Sequence, residues 1–151
     1  MNRQAGFLGI QVPGWALLVY LVYAQAIPAF NYELGVAMGT QESATQISEV
    51  GVAFFYGFAF GDLLIYIPLL ALGLIGHGLN KNWGHILFAA AAGISMYWPV
   101  VCLSAVVTVR DAPNWHLEGE SGYWIVLPLI ALWGAWGLRH VVLIQHGSHR
   151  I

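Results

Sequence analysis

Asp62 is the one charged residue in an apolar run over residues 50–76. A run of that length can cross a bilayer, which takes about 20 apolar residues. A carboxylate at such depth is costly unless it is paired, wetted or protonated, so it marks a functional site by default. No apolar run offers it an evident basic partner, since Arg139 comes near the inner end of the last one. A carboxyl that ionises as a cation arrives suits a cation-binding or proton-coupled site. It could also act catalytically, giving a proton to a lipophilic substrate or taking one from it. The plainer reading is a structural tie between helices, worth about 1 kcal/mol.

Six histidines are the other residues with chemistry to offer. His77, His85 and His140 come at the ends of apolar runs, where three imidazoles brought together would suit zinc or copper, and two at facing helix ends would suit haem. None has a recognisable ligand spacing, and the His146-x-x-His149 pair lies in the tail. Interfacial histidines that stay polar are the favoured reading, His116 included, and the sequence requires no cofactor.

The elements that must hold these groups are membrane helices. Of 151 residues, 59% are hydrophobic and only 8% charged, against about 25% charged in soluble domains, so a water-facing surface cannot be assembled. Cys102 is the only cysteine, which rules out an internal disulfide. Four stretches are long enough to span, residues 12–30, 50–75, 86–109 and 122–144. The first could instead be a signal peptide, with Arg3 as its basic start and Ala24-Gln25-Ala26 as its cleavage site. Its length, Pro and Gln favour a retained helix.

Charge sets the orientation. With four spans, Arg3, Lys81, Arg139 and Arg150 fall on one side, and Glu33, Glu42, Glu49, Asp111, Glu118 and Glu120 join Arg110 on the other. Basic residues gather in the cytoplasm, so both termini are expected there, beneath an acidic outer face. The expected fold is an all-α membrane protein, one domain over residues 1–151, with four transmembrane helices in an antiparallel up-down bundle. The Ser43-x-x-Gln46 pattern resembles a capping box and predicts an early start to the second helix. Ala53, Gly57 and Gly61 on that helix, and Ala89 and Gly93 on the third, predict close helix contacts or a homodimer face. Pro68, Pro99 and Pro128 each strip a carbonyl one turn earlier of its helical partner.

Helical spacing puts Tyr97, Ser104 and Thr108 in one stripe and Tyr20, Tyr23 and Asn31 in another, while Tyr66 lies one turn from Asp62. Facing inward, these stripes would line a cleft open to the outside, with Asp62 at its floor and Trp133 and Trp136 as walls. The acidic mouth would concentrate cations. The expected function is binding of, or action on, a small lipophilic ligand, with a cationic one compatible, by Tyr20, Tyr23, Asp62, Tyr66, Tyr97 and Ser104. The first alternative is an accessory subunit of a larger respiratory or photosynthetic membrane complex. The second is a haem or metal redox membrane protein using His77, His85 and His140. The expected partners are the lipid bilayer, with the inner cell membrane as the expected location, and the lipophilic small molecule, with self-association or a membrane-complex partner beside them. Soluble-enzyme motifs are absent, and five scattered basic residues exclude nucleic-acid binding.

Overall fold

The computed structural model describes residues 3–113, 115–117 and 119–148. Glu118, His149 and Arg150 lie outside the described residues. Helix α1 (Arg3–Leu21) passes through a π turn (Val22–Ala26) into α2 (Ile27–Phe30), and a short α3 (Tyr32–Ala37) follows. Helix α4 (Ala44–Gly61) passes through a second π turn (Asp62–Tyr66) into α5 (Ile67–Gly78), before α6 (Asn82–Val109) and α7 (Glu120–Ser148). No strand occurs among the described residues. Four helical stretches are long and apolar enough to cross a membrane: Gln4–Phe30, Ala44–Gly78, Asn82–Val109 and Glu120–Leu143.

Three of these start well before the apolar windows do, because backbone bonding continues into polar flanks that hydropathy does not mark. The second begins at Ala44, where the Ser43 N–H donates to Gln46 Oε1 at 2.7 Å in a capping box. This satisfies one of the orphan amides of a first turn. Both π turns have one feature in common: each is followed by Ile-Pro, and Ile27 and Ile67 donate five residues back, to the Val22 and Asp62 carbonyls. Proline removes the next helical donor, and the two wide turns pack against each other.

The helices close tightly at only one end. Ile10, Leu21, Leu70, Leu74, Phe88 and Val141 form a core from α1, α5, α6 and α7 near the histidines. At Gly84 a Cβ would fall 2.1 Å from the Gly76 backbone, so only glycine lets α5 and α6 approach this closely. Trp133 and Trp136 belong to this core. Trp133 Nε1 donates to the Gly9 carbonyl at 3.0 Å, and Trp136 stacks on His140. The expectation that they wall a cleft is therefore corrected: their indoles fill the seam between α1 and α7. The predicted contact between Gly57, Gly61 and Gly93 is corrected too, since a Cβ at any of the three would meet no atom within 4 Å. At the other end, which carries the acidic connections, α4 leans on α2 and the π turns rather than on α6. The second span widens at the π turn over Asp62–Tyr66, and α4 and α6 stand apart.

Candidate functional site

The parting of α4 from α6 leaves a cavity of about 810 Å³ at the acidic end. Helix α4 contributes Gly51, Phe55 and Phe58, and α6 contributes Trp98, Cys102 and Ala105. Each set repeats at three- and four-residue intervals, which is one helix face. Tyr20 and Tyr23 line it from the first span and Tyr123 from the fourth. The connection from α3 to α4 supplies residues 38–42.

Asp62 continues the α4 stripe by one turn beyond Phe58. It is 5% exposed, and its Oδ2 has no hydrogen-bond partner among the described residues. It lies within electrostatic reach of Cys102, which lines the floor. Asp62 itself is not part of the lining. The acid therefore sits beneath the cavity rather than at its centre, a correction to the expected cleft.

Three other expected lining residues are also corrected. Tyr66 is 1% exposed and shares a 2.6 Å hydrogen bond with Ser95 Oγ, which in turn donates to the Ala91 carbonyl at 2.9 Å. It ties α6 to the second span, outside the cavity. Tyr97 is 70% exposed, and Ser104 is exposed beside it on a face of α6 that does not meet the cavity. Thr108 of the same stripe donates to the Ser104 carbonyl at 2.8 Å. A hydroxyl satisfied by its own helix can face lipid at little cost, so polarity did not mark the inward face.

The residues that the sequence reading missed lie in the connection. Pro28 denies the Ala24 carbonyl its helical donor, and Gln41 Nε2 donates to that carbonyl at 2.8 Å. The Gln41 backbone is folded back by bonds from the Thr40 and Gln41 amides to the Gly35 carbonyl, at 3.0 and 3.3 Å. A Cβ at Gly35 would fall 2.7 Å from Pro28 and 3.0 Å from Gln41, so glycine lets α3 fold onto both. With its amino group committed, Gln41 presents Oε1 as a buried acceptor with no partner among the described residues. A proline with no donor to offer inside the first span was the available signal.

Glu42 beside it is 9% exposed and also lines the cavity. Tyr32 donates its hydroxyl to the Glu42 carbonyl at 2.9 Å. Burial, then the Glu42 and Glu33 carboxylates, push the Tyr32 phenol up to about 12, which keeps it a neutral donor. Ser48, also in the lining, has φ 66° and ψ 167°. That region is almost confined to glycine and costs about 1–3 kcal/mol. At this break the Gln46 carbonyl accepts from the His116 amide at 2.7 Å, pinning the α6–α7 connection to α4.

At the opposite end, His77 and His85 are each 5% exposed, with ring centroids 5.5 Å apart. Gln11 Nε2 donates to His77 Nδ1 at 2.9 Å and to the Leu74 carbonyl at 3.1 Å, and Trp15 Nε1 donates to Gln11 Oε1 at 2.9 Å. The two bonds from Gln11 Nε2 bind α1 to α5, and Trp15, on the same helix, holds the Gln11 amide in place. Among the described residues no three His, Cys, Asp or Glu side chains stand close enough to hold a metal.

The chain matches no family model, no curated protein and no solved structure.

Proposed function

We propose that this is a multi-pass membrane protein that binds, or acts on, a small lipophilic ligand in the cavity at its acidic end. In this reading the four spans form an antiparallel up-down bundle in the inner cell membrane. Both termini are cytoplasmic, as the side carrying Lys81 and Arg139 implies, and the cavity opens to the outer half. The observation that carries the proposal is the cavity itself. Ligand pockets run to about 300–1,000 Å³ and combine apolar walls with a few placed polar groups, and about 810 Å³ lined by Phe55, Phe58, Trp98, Tyr123 and Gln41 fits that description. The packed core formed by Ile10, Leu70, Leu74, Phe88 and Val141 lies toward the histidine end, so in this reading a guest that enters from the outer side stops there.

Asp62 acts on this site from beneath, as the charge below Phe58 and Cys102. Native mass spectrometry of protein purified in mild detergent tests the proposal. A bound mass of a few hundred daltons is expected. Gly122→Trp should remove it, because that glycine lines the cavity and a Cβ there meets open space. Asp62→Asn should weaken the binding while the protein stays folded. A bound mass indifferent to Gly122→Trp, or no bound mass at all, contradicts the proposal.

A second reading, a subunit of a larger assembly or a homo-oligomer, has one observation in its favour. The Gly57-x-x-x-Gly61 face is exposed and unused within the chain, and such faces let helices approach closely. A stoichiometric partner surviving purification would support it.

A further inference from the structure

We infer that the guest is a lipid of the surrounding bilayer, which passes one acyl chain sideways into the cavity between α4 and α6 while its head group stays outside. The inference rests on the cavity reading above and names what fills the space and by which route.

The open side lies at membrane depth. Helix α6 packs along α5, but α4, which continues that span beyond the π turn, stands apart from α6. No helix-to-helix contact seals the cavity there. Both rims carry residues that line the cavity and are also exposed, Val50 (77%) and Phe54 (62%) on α4 and Ala105 on α6. All three belong to stretches long and apolar enough to cross a membrane. In a bilayer the neighbours of such a rim are acyl chains, with no water to meet it.

The water side, by contrast, is roofed. The bond from the His116 amide to the Gln46 carbonyl draws the α6–α7 connection over α4. Trp115 of that connection lines the cavity, with its ring 6.5 Å from that of Phe55. From the other side the α3–α4 connection is held down by the bond from Gln41 Nε2 to the Ala24 carbonyl, and Gln41 is buried there. A guest from water has two tied connections to displace, whereas a chain from the bilayer meets the unsealed side.

Length and chemistry both fit a single chain. Trp98 and Val109 mark the ends of the lining on α6 and stand eleven residues apart, about 16 Å of helix. One leaflet of a bilayer's hydrocarbon core is about 15 Å thick. A lipid whose head rests at the outer surface therefore has a chain that reaches Trp98. The walls along that path, Phe55, Phe58, Trp98 and Val101, are apolar. No Lys, Arg or His among the described residues lines the cavity, so a phosphate or free carboxylate drawn inside would lack a counter-charge. The head group stays out for that reason.

The test uses the full chain in nanodiscs of phosphatidylcholine and two light-activated probes. One is a phosphatidylcholine with a (trifluoromethyl)phenyldiazirine at the end of one acyl chain, held in the leaflet by its head group. The other is the same arene free of any lipid, which can enter by any route. Labelled residues are located by mass spectrometry after digestion, and the two faces of α6 serve as an internal comparison. Trp98, Val101 and Cys102 line the cavity, whereas Tyr97, Val100 and Ser104 are exposed outside it. The lipid-borne probe should label Trp98 and Cys102 as well as the outer face. Labelling of the cavity face by the free arene alone, with the lipid-borne probe confined to Tyr97, Val100 and Ser104, would overturn the lipid assignment and leave the cavity reading standing. A cavity face labelled by neither probe would overturn both.

Discussion

The tie between Gln41 and Pro28 can be tested by a double-mutant cycle. Gln41→Leu removes the donor from the Ala24 carbonyl, a 2.8 Å bond between buried groups. Leaving a buried carbonyl unmet costs about 1–3 kcal/mol. The same substitution deletes the unpartnered Oε1, which returns roughly 1 kcal/mol of that penalty. Hydrogen bonds within membrane proteins average about 0.6 kcal/mol, with a maximum near 1.7. The net expectation is a loss of about 1 kcal/mol. Pro28→Ala carries its own cost, because Pro28 is buried against Gly35. It also restores an N–H one turn after Ala24. In that background Gln41→Leu should cost almost nothing, so the coupling energy should be about 1 kcal/mol, above the roughly 0.5 kcal/mol scatter of independent sites. The four proteins are compared by reversible denaturation in mixed micelles, read by far-ultraviolet circular dichroism. Costs that simply add would refute the idea that Gln41 exists in this position because of Pro28.

Other consequences are more local. Ser95→Ala should cost more than Tyr66→Phe, about 1–3 against about 0.5–1 kcal/mol, because it strands the Tyr66 hydroxyl, whereas Ser95 keeps its bond to the Ala91 carbonyl; the same unfolding assay ranks them, and equal costs would contradict the geometry. Gly84→Val should prevent assembly of α5 against α6, since the first added atom would fall 2.1 Å from the Gly76 backbone. Size-exclusion chromatography should then show aggregated protein, and a monodisperse variant of parental stability would refute the contact. Ser48→Gly should stabilise the fold by about 1 kcal/mol through relief of a backbone conformation that favours glycine, read as a raised denaturation midpoint; no change would mean that Ser48 is unstrained.

The helical class and the number of apolar spans were legible in the sequence because lipid imposes a length and a composition on any crossing segment. The early start of the second span was legible too, since Ser43 and Gln46 carry their own capping chemistry. Which face of a helix points inward was not. In water, polarity separates inside from outside; in a bilayer both core and surroundings are apolar. Tyr97 and Ser104 therefore looked like lining and are exposed, while Trp98 and Cys102, one helix face away, line the cavity. Tyr66 looked available but is held by Ser95, a partner in another helix that no local pattern announces. Gln41 was missed because it lies in a connection, and its role depends on a proline thirteen residues earlier that sequence distance does not link to it. The small-residue repeats misled in the same way: Gly57 and Gly61 have the spacing, but Gly76 and Gly84 make the contact.

The account depends on a space between α4 and α6 that a guest can occupy. An experimental structure of the protein with bromodecane, with the bromine located by anomalous scattering, tests this most directly. The bromine should lie within the cavity against Phe58 and Trp98. Bromine found only in the surrounding lipid belt, with α4 packed against α6 and no space between them, would contradict the account.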